Sequence, residues 1–195
     1  MLARYSPAEM AEHGDRTSPD RETHPEKGSA MSLWLFIAVH WLHVFFGIFW
    51  FGSRLVVTFV LLPTMRKVSQ ANQRVFLGEL IRHFVRIEPT IGFMTLALGL
   101  LRGTVFGEVT SPSIAFGTTY GLTWTVALAL GAAIAVLGGI IGRNFISLDS
   151  IKVTDDGSSQ VAFDRRLGKT ERYSRVSLAL FLLIFTCMIL MRFGF

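Results

Sequence analysis

Five residues of the segment Ala38–Leu55, AVHWLHVFFGIFWFGSRL, carry chemistry that lipid does not ask for: His40, His43, Gly47, Trp50 and Arg54. At about 100° per residue they fall within an arc of about 80°, at successive spacings of three, four, three and four. An apolar helix gains nothing by burying imidazole, indole and guanidinium unless the fold receives them, so the stripe predicts a helix with this face turned to a bundle interior. A neutral imidazole is a ligand for haem iron or copper, and the spacing puts both rings on one side. The other use of each histidine is a hydrogen bond to a neighbouring helix with no ligand at all. Gly47, one turn from His43, either leaves room for a flat ring such as a porphyrin or lets a second helix come close.

Depth restricts what can join these residues. At 1.5 Å per residue, His43 lies roughly 15 Å from one end of its helix, and His83 lies at the opposite end of the next, roughly 30 Å away along the membrane normal. The two cannot be paired axial ligands of one haem within a monomer. Met94, Cys187, Met188 and Met191 are closer in depth to His40 and His43. Soft sulfur beside imidazole suits Cu(I), which makes His40, His43 and Met94 a candidate metal set, although methionines in apolar runs also serve plain packing. His13 and His24 are scattered in a polar tail and form no site. No nucleotide-binding glycine loop, HExxH or GxSxG motif occurs.

The elements that must position the stripe are four apolar runs, at about residues 33–62, 84–105, 120–141 and 176–193. Of the 195 residues 51% are apolar and only 17% charged, too little polar surface for a water-soluble globule. Helices satisfy their own backbone in lipid, and no alternating barrel pattern competes. The expected fold is therefore all-α: an integral membrane four-helix bundle over residues 32–195, preceded by a disordered polar tail, residues 1–31. Met31 directly precedes the first apolar run, so either Met1 or Met31 can be the start. Pro63 is expected to close the first helix, and Arg86, Glu88 and Pro89 to make the start of the second polar and kinked.

The net charge of +5 is placed between the apolar runs, which points to membrane flanks and not to nucleic acid. Arg66, Lys67, Arg74, Arg82 and Arg86 lie in the first loop, and Arg143, Lys152, Arg165, Arg166, Lys169, Arg172 and Arg175 in the third. The second has only Arg102 at its edge. This asymmetry predicts a multi-pass protein of the cell's inner or plasma membrane with the basic loops cytoplasmic and both termini outside. The third loop, Arg143–Arg175, reads as a solvated turn followed by a basic segment lying on anionic headgroups. Gly138 and Gly142 form a small-xxx-small pair for helix packing within the bundle. Arg54 is expected to pair with Glu88, with a haem propionate as the rival partner. The single cysteine, Cys187, allows no intramolecular disulfide.

LHVFFGIFWFGSRLVVTFVLLP resembles the opening helix of the copper resistance protein D (CopD)-like membrane family, in which a histidine is followed seven residues on by tryptophan, then a small residue and a closing proline. His43, Trp50, Gly52 and Pro63 match that pattern. HFVRIEPTIGFMTLALGLLRG resembles the second helix, and the four-helix layout is similar to the HemJ-type protoporphyrinogen oxidases, which share the histidine-to-tryptophan spacing and bind haem b. The resemblance implies haem b or copper as cofactor, with His43 as ligand and Trp50 as a wall of the site. It also implies a role in copper homeostasis or membrane redox. Oxidation of protoporphyrinogen is the enzymatic alternative, and a cofactor-free scaffold subunit of a membrane complex the structural one. Membrane lipid, a second copy of the chain or a membrane redox partner are the expected contacts.

Overall fold

The computed structural model describes residues 27–150 and 158–193, and every long element among them is a helix. In order these are α1 (Lys27–Val56), a π-helical turn (Val57–Leu61), α2 (Leu62–Met65), α3 (Gln70–Thr104), α4 (Pro112–Gly117), α5 (Thr119–Asp149) and α6 (Ser158–Arg192). The chain divides into two units, Met1–Trp34 and Leu35–Phe195. In the first, the described residues open α1 at Lys27, so Lys27–Met31, assigned to the tail on sequence, are helical. The remainder of that tail lies outside the described residues. The second unit holds the bundle. The segments Met31–Met65, Val75–Thr104, Thr119–Leu148 and Ser159–Arg192 are each long and apolar enough to cross a membrane, the architecture of a multi-pass integral membrane protein.

Pro63 does not close the first helix. The turn before it widens so that the Leu62 N–H donates to the Val57 carbonyl, five residues back, and helix then resumes to Met65. The wider turn makes space for a ring that would otherwise press on the carbonyl four residues earlier, and Pro63 falls in the first turn of α2, where its missing N–H is no loss. α3 likewise runs through Pro89 without interruption.

The second correction is at the end of the bundle that carries the basic residues. The basic segment before Arg175 is not a strip lying on the surface: α5 continues to Asp149, and α6 begins at Ser158 and reaches Arg192 without a break, while residues 151–157, where most of the expected solvated turn falls, lie outside the described residues. At 35 residues each, α3 and α6 are about 52 Å long, against a hydrocarbon thickness of about 30 Å. Their excess length lies at this basic end, where a core of Val57, Leu62, Met65, Leu77, Ile141, Phe145, Leu148, Phe163 and Leu167 joins the ends of the apolar runs to the charged parts of α3 and α6. Phe163, Leu167, Thr170, Ser174 and Ser177 recur at helical spacing and are all buried, so the charged half of α6 is amphipathic and held by packing. A second core, of Trp50, Ile91, Ile134 and Phe181, lies nearer the middle of the spans.

At the opposite end α4 and α5 are tied by side-chain caps. Ser111 Oγ accepts from the Ile114 N–H and Thr118 Oγ1 from the Gly121 N–H at 3.0 Å. A Cβ on Gly121 would stand 2.0 Å from the Ile114 carbonyl oxygen, so only glycine allows this close turn.

Candidate functional site

α1 and α3 run antiparallel and meet along one seam, in which each step of three or four residues up one helix is matched by an equal step down the other. Phe36 meets Phe106, His43 meets Gly99 and Thr95, Gly47 meets Thr95, Trp50 meets Gly92, and Arg54 meets Glu88. Four of the five stripe residues of α1, His43, Gly47, Trp50 and Arg54, are therefore turned toward α3, while His40 at the end of the stripe is exposed. α3 answers it with small residues, since Gly92, Thr95 and Gly99 are the positions that receive the large side chains.

His43 is half-buried in this seam. Its Nδ1 lies 2.9 Å from the Thr95 carbonyl oxygen, which can only accept, so the hydrogen sits on Nδ1 and Nε2 keeps its lone pair. Thr95 donates its own hydroxyl to the Ile91 carbonyl at 2.9 Å and leaves the imidazole contact to its backbone. A Cβ at position 99 would stand 2.8 Å from His43 Cε1, so the glycine there is the space the ring occupies. His40 is exposed instead, stacked on Phe36 with centroids 6.4 Å apart and planes within 7°.

One turn beyond Gly99 on α3 is Arg102, which sequence reasoning treated only as a loop charge. Its guanidinium carbon lies 4.4 Å from the Phe36 ring centroid, a cation–π contact, and Nη1 donates to the Phe106 carbonyl at 3.4 Å. Its Nε is buried with no acceptor among the described residues. The clue available in the sequence was its spacing from Gly99 and Thr95, on the same face of α3 as Glu88.

The other stripe residues serve packing or charge. A Cβ on Gly47 would touch Thr95 Cγ2 at 3.8 Å, so this glycine lies against α3. Trp50 is 3% exposed, seated on Gly92 and in edge contact with Phe181 at 5.1 Å, and is part of the core. Met94 is exposed and stands one residue, about 100°, round α3 from Thr95. His83 is exposed at the basic end, near the Glu79 carbonyl and carboxylate, and so is far from His43, as its depth required. Among the described residues no three His, Cys, Asp or Glu side chains converge as a metal-binding group.

Arg54 forms the expected ion pair with Glu88. The guanidinium is fully enclosed, and a Cβ on Gly138 would stand 2.6 Å from its Nη2, so this glycine of α5 houses the charge. Gly142, its partner in the small-xxx-small pair, faces Val85 on α3. Arg54 Nε and Nη1 have no acceptor among the described residues. Next to them Thr58 Oγ1 donates to the Arg54 carbonyl at 2.8 Å and lies 2.5 Å from Ser174 Oγ, which ties α1 to α6 through the π-helical turn. No family model, curated protein or solved structure matches this chain.

Proposed function

We propose that this chain is a small multi-pass membrane protein of the copper resistance D-like group that holds haem b through His43 and serves membrane redox. The observation that carries the reading is the hydrogen bond from His43 Nδ1 to the Thr95 carbonyl. It fixes the tautomer and ring orientation and leaves Nε2 as the basic nitrogen, the arrangement by which a protein prepares an imidazole for a metal. Arg102 fits the same group, because a buried guanidinium N–H without an acceptor, one turn from the seat of His43, suits a propionate. When bound, haem b supplies one-electron transfer.

The chain's own part is to orient one imidazole, offer one guanidinium and keep the seam dry with Phe36, Phe106 and Thr95. The single prepared imidazole suits haem, whereas a closed copper site would need further donors beside it, and His40 and Met94 are both exposed. The basic end faces the cytoplasm in this reading, supported by Arg66, Lys67, Arg74, Arg82, Arg86 and the seven basic residues from Arg143 to Arg175, all at one end of the spans, against Arg102 alone at the other.

The test is a visible spectrum and metal analysis of protein purified in mild detergent from cells supplied with haem precursors and copper. The reading expects a Soret band, a haem b pyridine haemochrome and iron in excess of copper. Copper without haem would return the assignment to copper handling, and neither would favour a cofactor-free scaffold.

A further inference from the structure

At the basic end, between the turn that follows α2 and the middle of α6, lies a cleft of about 340 Å³ lined by Arg66, Gly168, Glu171, Arg172, Arg175 and Val176. Glu171 organises it. One carboxylate oxygen takes Arg66 Nη2 at 2.6 Å and the other takes Arg175, so one acid holds two guanidiniums in place around the opening. Both remain largely in solvent, with side chains 52% and 69% exposed, and each keeps most of its five N–H donors free. Arg172, also exposed, has no ion pair among the described residues. Three cations against one anion leave the cleft positive, and the exposed Arg165 and Lys169 on the same helix add to its field. A Cβ on Gly168 would meet nothing within 4 Å, so the cleft is open down to the backbone there.

Its position is as informative as its charge. Arg66 is the first residue beyond the span that ends at Met65, and Arg175 is the last charge before the apolar run that starts at Val176. The cleft therefore lies where the charged part of α6 gives way to its apolar part, a level suited to lipid headgroups. Val176, Leu183 and Leu190 then continue away from it as an exposed apolar stripe, each two helical turns from the last. A ligand matching this surface has an anionic head and an apolar tail.

We propose that the cleft is a binding site for an anionic glycerophospholipid, with its phosphate on Arg66, Arg172 and Arg175 and an acyl chain along Val176, Leu183 and Leu190. Arginine clusters at this depth recognise such headgroups by charge and by forked hydrogen bonds to phosphate oxygens.

The test is native mass spectrometry of the full chain, delipidated in mild detergent and titrated with phosphatidylglycerol or with phosphatidylcholine of the same acyl chains. Phosphatidylglycerol should be retained and phosphatidylcholine lost. Arg172→Gln should weaken phosphatidylglycerol binding about fivefold and Arg172→Gln/Arg175→Gln about 25-fold, while Arg143→Gln, at the same end but outside the cleft, should leave it unchanged. Because Arg172 has no ion pair among the described residues, its variant should melt like wild type without lipid, which separates lost binding from lost fold. Equal retention of the two lipids, an equal loss in Arg143→Gln, or full competition by inorganic phosphate would overturn the proposal.

Discussion

Replacing Glu88 with leucine should be among the most damaging single changes to this bundle. The Arg54 guanidinium is 0% exposed, and among the described residues Nε and Nη1 already lack acceptors, so the Glu88 carboxylate is its one charged partner there. Removing it leaves a buried cation that cannot shed its proton, a loss of about 3–5 kcal/mol. Arg54→Leu should cost less, because the carboxyl it strands can be neutralised by taking up a proton. The double variant Arg54→Leu/Glu88→Leu buries no charge, and it should recover at least about 2 kcal/mol relative to the sum of the single losses. Unfolding by SDS in mixed micelles, followed by tryptophan fluorescence, reads all four proteins on one scale. Losses that add within about 0.5 kcal/mol, or a Glu88→Leu protein as stable as wild type, would show that the pair is not what holds the charge.

Gly138→Ala should act on the same centre from α5: its new methyl would meet Arg54 Nη2 at 2.6 Å and push the guanidinium off Glu88, costing about 1–3 kcal/mol in the same unfolding assay. Gly99→Ala should displace the His43 ring, whose Cε1 would lie 2.8 Å from the new Cβ, and break the bond to Thr95; nitrogen NMR of labelled imidazole should then show Nδ1 losing its fixed proton. Thr58→Val removes the hydroxyl joining α1 to α6 and should cost about 1 kcal/mol, with Thr58→Val/Ser174→Ala no worse than the single change, because no unpaired hydroxyl then remains. Reporter fusions after Gly157 and Phe195 should give cytoplasmic and external signals respectively; the reverse pair would overturn the orientation.

The four spans were legible because long uncharged apolar runs have few other uses, and the Arg54–Glu88 pair was legible because two opposite charges at matching depth in lipid have little choice. The inward turn of the α1 stripe followed from its period. The division of labour along it did not: His43, Gly47 and Trp50 share one face, and only the identity of the α3 residue opposite each decides what it does. Gly99 gives His43 its seat, Thr95 closes the space above Gly47, and Gly92 takes Trp50 into the core. Which face of α3 meets α1 is marked in the sequence only by the expected Arg54–Glu88 pair, and carrying that face along α3 from Glu88 reaches Thr95, Gly99 and Arg102.

The basic end was misread for a different reason. Hydropathy averaged over Phe163–Arg175 is dominated by its arginines and hides the apolar and small residues at helical spacing that α6 buries against Phe145 and Leu148. A periodicity reading of that segment, in place of an average, would have found the helix.

The account's central claim is that His43 is the prepared ligand and His40 is not, and the visible spectrum of two variants tests it most directly. Wild type, His43→Ala and His40→Ala are purified from haem-replete cells and compared at equal protein concentration, each as a single monodisperse species in detergent. His43→Ala should lack the Soret band, because the oriented Nε2 is gone. His40→Ala should keep most of it, because that ring is exposed and stacked on Phe36 with no part in the seam. A folded His43→Ala protein that retains haem as wild type does would contradict the assignment.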